Sequence, residues 1–236
     1  MAIDENLVAA APRTVELADA AALPLAGLTA QQALGAAHLD VGPGDNLLVT
    51  GGAGGVGLLA IQLAKWHGAH VTTTASTLGR ELVLAVGADE VIDYHTQKIS
   101  AVSPPFDKVF DLVGGDALGD VVSATRRGGR VVSVTGPLTA GSVTADIVGL
   151  RRAIVRAGAA VMSRGIRKRA AGAGVSYEHF FMAPDGAGLA ELSGLVDDGA
   201  LTLTVDSRFA FSDFRSAFAR LESRHAKGKV VIELPA

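Results

Sequence analysis

A cluster of five glycines lies between two strongly apolar segments of this chain. Residues 47–57 read LLVTGGAGGVG, and the sequence continues as LLAIQLAKW, in which apolar residues recur with helical period. Gly52, Gly54 and Gly57 fit the pattern G-x-G-x-x-G. In that pattern the glycines allow a tight turn, let the backbone approach a pyrophosphate, and let the helix pack close to the strand. A strand, a glycine loop and a helix in this order predict a dinucleotide-binding site.

The other loop residues are expected to take part through their backbone. Ala53, Gly55 and Val56 fill the positions around Gly54, at the start of the predicted helix. Unpaired N–H groups and the positive end of the helix dipole favour phosphate there.

Composition limits the other classes of function. With 236 residues, 49% of them hydrophobic, the chain can bury one core, or one domain and part of a second. A net charge of −3 argues against general nucleic-acid binding. The absence of cysteine excludes disulfides, thiol catalysis and a cysteine-type zinc site, and the six histidines form no metal-binding pattern.

The sequence shows neither a secretory signal nor a membrane span. The first residues, MAIDENLVAAAPRT, contain early acids and no basic segment followed by an apolar one. No stretch reaches the roughly 18 uninterrupted apolar residues of a spanning helix. We therefore expect a cytoplasmic protein and no binding to a membrane surface.

Apolar runs that end in glycine or polar residues alternate with segments of helical period. This alternation is typical of βαβ units and a parallel sheet. Strands are predicted near 46–50, 70–74, 90–92, 108–112, 130–134 and 175–182, and helices near 24–37, 55–67, 77–86, 115–124 and 186–198. The expected fold is α/β, with a doubly wound parallel six-stranded sheet of the Rossmann type.

A basic segment interrupts this alternation. Residues 151–169 contain seven basic residues and no acid. On a helical wheel Ile154, Val155, Val161, Met162 and Ile166 share one arc, opposite Arg152, Arg156, Arg164, Arg167 and Lys168. We expect a helix with a solvated basic face, weakened by Gly158 and Gly165. A role at a membrane surface or with an acidic ligand is the alternative.

The end of the second predicted strand indicates which dinucleotide binds. NAD-binding folds place an acid there, about twenty residues beyond the glycines, to bind the ribose 2′-hydroxyl. This strand ends at Ser76, and the first acid after it is Glu81, inside the next helix. A hydroxyl without a carboxylate leaves room for a 2′-phosphate, which nearby Arg80 could pair with. The sequence therefore favours NADPH over NADH.

Short-chain dehydrogenases offer a competing pattern. Residues 50–57 also fit T-G-x-x-x-G-x-G, and Tyr94 with Lys98 fits Y-x-x-x-K. In that family the tyrosine and lysine lie on a helix far beyond the third strand. Tyr94 directly follows that strand here, so the spacing rejects this family.

Several ordered segments resemble another family. ALPLAGLTAQQAL, VTGGAGGVGLLAIQLAK, VGADEVIDY, DLVGGDAL, GGRVVSVTGP, FFMAPDG and ESRHAKGKVVIEL follow one another along nearly the whole chain. They are similar to the cofactor domain of the zinc-independent quinone oxidoreductase branch of the medium-chain dehydrogenases/reductases.

The resemblance implies roles for individual residues. Ser76, Tyr94 and Arg224 would hold the 2′-phosphate, and Thr29 would approach the nicotinamide carboxamide. Val113, Thr135 and Phe181 would line the nicotinamide side. The family commonly has a basic residue two or three positions after the serine, where this chain has Leu78 and Gly79, so Arg80 is the expected substitute.

The resemblance also implies a domain division. Residues 1–24 and 206–236, the latter with a strand–helix–strand pattern, would be remnants of a substrate domain. Residues 25–205 would form the dinucleotide-binding domain, with an insertion at about 138–172. The family's proton donor lies in a barrel-like domain without counterpart here, so the catalytic residues stay unknown.

The expected function is NADPH-dependent hydride transfer to a quinone or an activated C=C or carbonyl compound, without metal. A homodimer, or a partner chain supplying the barrel, is expected. The alternative is a non-catalytic cofactor-binding or interaction module, or one adapted to another reaction such as cyclisation.

Overall fold

The computed structural model describes residues 2–102, 105–142 and 149–235, which form a six-stranded and a two-stranded sheet. The strands are β1 Asn46–Val49, β2 His70–Ala75, β3 Glu90–Asp93, β4 Phe106–Asp111, β5 Thr125–Ser133, β6 Ser176–His179, β7 Val205–Ala210 and β8 Lys229–Glu233. The α-helices are α1 Leu17–Ala20, α2 Pro24–Leu34, α3 Gly55–Trp66, α4 Arg80–Ala85, α5 Ala117–Ala124, α6 Gly149–Met162, α7 Arg164–Ala173, α8 Gly186–Asp197 and α9 Phe214–Glu222.

The large sheet confirms the predicted Rossmann fold. Its strand order is β3-β2-β1-β4-β5-β6, and all neighbours are parallel. The chain runs from β1 outward to β3 and then returns to the other side of β1 with β4. The order of the strands therefore reverses beside β1, where open α/β sheets bind their ligands.

Two apolar cores cover the two faces of this sheet. Leu47 and Val49 of β1 pack with α2, α3 and α8 on one face, and Leu48 packs with α5 and α7 on the other. All three side chains are completely buried. This burial on both faces explains the continuous apolar run in the sequence, since strands of a parallel sheet are covered by helices on each side.

The two ends of the chain lie together on one flank. β7, α9 and β8 follow the predicted strand–helix–strand order, and β7 pairs with β8 in parallel. Arg208 of β7 donates to Asp19 of α1 at 2.6 Å, while Asp197 of α8 accepts from the Arg13 amide at 2.7 Å. The first residues thus run along α8, and α1 contacts the small sheet. The division into three domains stays a prediction.

The basic segment forms two helices, so the prediction of one helix is wrong. α6 ends before Ser163, whose side chain is buried and donates to the Ala159 carbonyl at 2.8 Å. A hydroxyl that bonds to its own helix backbone disturbs the helical path. Ile154, Val161 and Met162 are 62%, 74% and 67% exposed, so the apolar arc of α6 faces outward. Of the predicted insertion, residues 143–148 lie outside the described residues.

Among the residues that the structure describes, no helix is long and apolar enough to cross a membrane.

Candidate functional site

The carboxyl ends of the parallel strands bring most predicted site residues to one edge of the sheet. In spatial order, Tyr94 follows β3, Ser76 follows β2, the glycines follow β1, and Val113, Thr135 and Phe181 come after β4, β5 and β6. The glycines lie at the point where the strand order reverses. A dinucleotide laid along this edge would have its pyrophosphate at the centre and its two nucleosides on opposite sides.

The glycine loop, residues 51–57, is fixed to the sheet by backbone hydrogen bonds. The Gly51 amide donates to Thr74 Oγ1 at 2.8 Å, and the Gly52 amide donates to the Thr74 carbonyl at 3.0 Å. The bond from the Leu58 amide to the Gly54 carbonyl, at 3.0 Å, is the first i to i−4 bond of α3. The amides of residues 55–57 precede it, and such amides at the start of a helix favour an anion.

The three glycines of the pattern have different surroundings. A Cβ at Gly57 would lie 2.5 Å from the Gly51 carbonyl oxygen and 2.7 Å from Gly52 Cα, and one at Gly52 would collide with the Thr73 side chain. At Gly54 the nearest atom would be the Gly51 carbonyl oxygen, 3.3 Å away. Gly52 and Gly57 are therefore needed for packing, whereas the space beside Gly54 is open to a ligand.

The predicted nicotinamide side is formed by the ends of β4, β5 and β6. The Val113 side chain lies against Gly51, and Thr135 lies against Gly114. Phe181 is exposed, and its ring packs edge-on against the ring of buried His179, with centroids 4.7 Å apart. Val113, Thr135 and Phe181 thus line the edge in the predicted order, although their contact with a cofactor stays a prediction.

Thr29 lies on α2 and is buried. Its hydroxyl donates to the Leu25 carbonyl at 2.6 Å. The oxygen lone pairs can still accept a hydrogen bond, for instance from a carboxamide N–H group.

A buried carboxylate, which sequence reasoning missed, ties the strand ends together. Asp111 ends β4 and is fully buried. It accepts from Thr50 Oγ1 at 2.8 Å, from Ser133 Oγ at 2.7 Å and from the Gly114 amide at 3.1 Å. These bonds fix the ends of β1, β4 and β5 beneath the site. An acid at the end of a predicted strand, three residues before a pair of glycines, was the available signal.

The opposite side of the edge carries the predicted adenosine site. Ser76 is half-buried directly after β2, and Tyr94 is exposed after β3. Arg80 donates to the Val91 carbonyl at 3.2 Å, and Thr77 donates to Asp93 at 2.6 Å. The Thr77 hydrogen bond is the main cause that lowers the pKa of Asp93, so this acid stays ionised near the Ser76 turn.

The C-terminal loop, residues 223–228, reaches this side from the end of α9. Arg224 is exposed in this loop, in the left-handed region with φ 57°. Lys227 Nζ donates to the Leu78 carbonyl, and the Gly228 amide donates to the Ala53 carbonyl at 3.0 Å. The loop therefore contacts both the Ser76 turn and the glycine loop.

Two lysines near the site were missed by sequence reasoning. Lys227 contacts the turn after β2, and the aliphatic stem of Lys229 lies against Gly55 at the start of α3. Burial lowers the pKa of Lys229. The run AKGK before the last strand was a weak signal, since its distance from the glycines along the chain hides the contact.

The structure assigns no catalytic group. In the three described ranges, no cluster of three or more histidine, aspartate or glutamate residues could hold a metal ion. The zinc independence expected from the sequence stays a prediction.

Comparison with known proteins finds relatives that are named oxidoreductases. Residues 86–232 match the profile of a family described as zinc-binding dehydrogenase. Over 98% of its length the chain is 34% identical to the chloroplastic NADPH-dependent alkenal/one oxidoreductase of Arabidopsis thaliana. Over the same share it is 32% identical to the mitochondrial NAD(P)H oxidoreductase RTN4IP1 of Danio rerio.

A solved structure agrees with this comparison. The quinone oxidoreductase from Coxiella burnetii has a TM-score of 0.79 and 32% identity, over 94% of this chain and 62% of that one. These matches confirm the quinone oxidoreductase resemblance. The chain spans 51% of the Arabidopsis relative and 61% of the zebrafish one.

The comparison contradicts the predicted cytoplasmic location. The two relatives are named as chloroplastic and mitochondrial proteins, so the expectation of a cytoplasmic protein is not upheld. The expectation depended on the missing secretory signal and membrane span, and neither distinguishes the cytosol from the interior of an organelle.

Proposed function

We propose that this chain, which belongs to the zinc-binding dehydrogenase family, binds NADPH and supports hydride transfer to a quinone or an activated C=C or carbonyl compound. The names of its relatives, an NADPH-dependent alkenal/one oxidoreductase and a quinone oxidoreductase, support this class of reaction. Because the chain covers only part of each relative, the activity of the whole protein is part of the proposal.

The open space beside Gly54 is the observation that carries the proposal. It lies at the start of α3, where the amides of residues 55–57 precede the first helical hydrogen bond, and where the strand order reverses. The fixed backbone, the helix dipole and the missing side chain together fit a pyrophosphate group.

The remaining residues would orient the dinucleotide. Val113, Thr135 and Phe181 would bound the nicotinamide, and the Thr29 oxygen would accept from its carboxamide. When bound, NADPH supplies the hydride, and the protein supplies position and exclusion of water. Hydride transfer to a positioned electron-poor acceptor leaves an anion, which would take its proton from water, since no proton donor is assigned among the described residues.

The proposal includes a preference for NADPH over NADH. Ser76 provides a hydroxyl where NAD-binding folds have an acid, and Arg224 lies in the loop that contacts the Ser76 turn. Asp93 lies near the same turn, and its negative charge repels a 2′-phosphate. The preference for NADPH over NADH should therefore be smaller than it would be without this acid.

Titration of the purified chain with the two cofactors tests binding. We expect a smaller dissociation constant for NADPH than for NADH, and equal constants would contradict the preference. The loss of NADPH absorbance on addition of a simple quinone then tests the reaction. A chain that binds NADPH but does not oxidise it would support the non-redox module instead.

A further inference from the structure

The turn after β2 lacks a side chain that could carry positive charge. Thr77 and Leu78 follow Ser76, and Gly79 closes the turn. A Cβ at Gly79 would lie 3.0 Å from the Ala53 Cβ, so the turn packs directly on the glycine loop. A longer side chain at this position would need both segments to move. The charge for a 2′-phosphate beside Ser76 must therefore come from elsewhere.

Arg80, the first basic residue after this turn, contacts β3. Its guanidinium donates to the Val91 carbonyl of β3 at 3.2 Å. It also lies close enough to Asp93 to attract that carboxylate, which accepts from Thr77. Arg80 is thus paired with groups of β3, and Asp93 already balances part of its charge.

Lys227 supplies a cation to the same turn from the opposite side. Its Nζ donates to the Leu78 carbonyl, two residues beyond Ser76. The neighbouring Gly228 amide donates to the Ala53 carbonyl at 3.0 Å, and Gly228 forms a bridge with Gly54. An ammonium group carries three N–H donors, so the bond to Leu78 leaves two for an anion.

The backbone of Lys227 is held from behind by an ion pair. Asp206 of β7 accepts from the Lys227 amide at 2.8 Å and from Arg220 of α9 at 2.8 and 2.6 Å. Arg220 also donates to the His225 carbonyl at 3.2 Å. The Arg220 hydrogen bonds are the main cause that holds the pKa of Asp206 far below its usual value. The loop therefore has a fixed position before any ligand binds.

We infer that Lys227, rather than Arg80, joins Ser76 and Arg224 in recognising the 2′-phosphate of NADPH. Asp206 and Arg220 act as positioning residues for it. The inference rests on the proposed function, because it assumes that the dinucleotide lies along the strand ends with its adenosine at Ser76. The C-terminal loop, which would bind the phosphate, belongs to the small β7–β8 sheet rather than to the large sheet.

Lys227→Met and Arg80→Met form a matched pair of variants for the test. Each removes one charge from a surface side chain near the same turn and keeps an aliphatic stem. We expect Lys227→Met to raise the NADPH dissociation constant about ten-fold or more, since a charge-assisted hydrogen bond is lost. The NADH constant should change less than about two-fold, and Arg80→Met should change both constants by less than about two-fold.

A second set of variants tests the positioning role. Arg220→Gln should lower the ratio of NADH to NADPH dissociation constants, while Arg220→Lys should restore part of it. In the double variant with Lys227→Met, Arg220→Gln should cause little further loss, because both changes remove the same interaction. If Arg220 had only a structural role, Arg220→Gln would raise the dissociation constants of NADPH and NADH equally.

The outcomes separate the inference from the proposed function. If the unchanged protein binds neither dinucleotide by calorimetry, the proposed function is wrong. If it prefers NADPH and Lys227→Met keeps that preference, the inference is overturned while the function stands. The inference is equally overturned if Arg80→Met removes the preference, or if Lys227→Met weakens NADH as much as NADPH.

Discussion

Gly54 is the loop glycine whose substitution we expect to remove cofactor binding and to leave protein packing intact. A Cβ at this position would have one protein atom within 4 Å, the Gly51 carbonyl oxygen at 3.3 Å, and the backbone is extended at φ −78° and ψ 164°. A valine side chain would fill the space for the pyrophosphate. We expect Gly54→Val to abolish NADPH binding in calorimetry without loss of the cooperative unfolding transition.

Gly194→Val is the control for this variant. Gly194 is exposed on α8, and no atom lies within 4 Å of a Cβ built there. This change should leave NADPH binding unaltered. Normal binding by Gly54→Val would show that the glycine loop has been assigned wrongly.

His179 should make stability depend on pH. Burial lowers the pKa of its imidazole from the usual 6.5, and the Gly136 backbone offsets part of this effect. The neutral form is therefore favoured in the folded protein. The contribution of His179 to the free energy of unfolding is then fully present above pH 6.5. This contribution is lost as the pH falls from 6.5 through the lower pKa that His179 has in the folded protein, because the unfolded chain binds the proton first.

Urea unfolding between pH 5 and pH 8 measures this dependence. We expect His179→Phe to reduce the loss of unfolding free energy below about pH 6.5, relative to the unchanged protein. His95→Phe, at an exposed position, should leave the loss as it is. If His179→Phe does not alter the pH profile, another group causes the dependence.

At the scale of elements, Asp111 holds the ends of three strands in register. Asp111→Ala would leave the hydroxyls of Thr50 and Ser133 and the amide of Gly114 without their acceptor. Each buried unpaired group costs about 1–3 kcal/mol, so we expect a loss of more than about 3 kcal/mol in urea unfolding. Asp111→Asn keeps one accepting oxygen and should lose less, and exposed Asp198→Ala should change the value by less than about 0.5 kcal/mol. A loss below about 1 kcal/mol for Asp111→Ala would contradict this role.

The elements of the large sheet could be predicted because their signals are local. The order and type of the strands follow from the periodicity of apolar residues, from the glycines between elements, and from the loop of Gly52, Gly54 and Gly57. The break at Ser163 could not be predicted, since the amphipathic pattern on its two sides is compatible with one continuous helix. The contact of Lys227 with Leu78 joins residues 149 positions apart, so only the folded arrangement of β7 and β8 reveals it.

At the scale of the whole molecule, β6 ends the large sheet and leaves one row of backbone groups unpaired within the described residues. Such an edge favours pairing with a second copy around a two-fold axis. We expect a homodimer in which two β6 strands extend the sheet across both subunits. Light scattering at micromolar concentration measures this directly, and a monomer would count against it.

The β7–β8 sheet should also be covered by another surface. Its α9 side carries an apolar groove of about 250 Å³, lined in part by Val56, Phe218, Leu221 and Ile232. The start of the chain runs along α8, where Ser193 donates to the Ala10 carbonyl at 3.0 Å. A second copy of the chain or a separate barrel-like domain could cover this groove.

Hydrogen exchange of the backbone amides of residues 229–234 distinguishes these occupants. Amides that are not paired with β7 should exchange quickly in the dilute chain, because an open strand edge is solvated. A second copy as the occupant would slow them as the protein concentration rises. A barrel domain would slow them when it is added at constant chain concentration, and no slowing under either condition would mean that this sheet is stable uncovered.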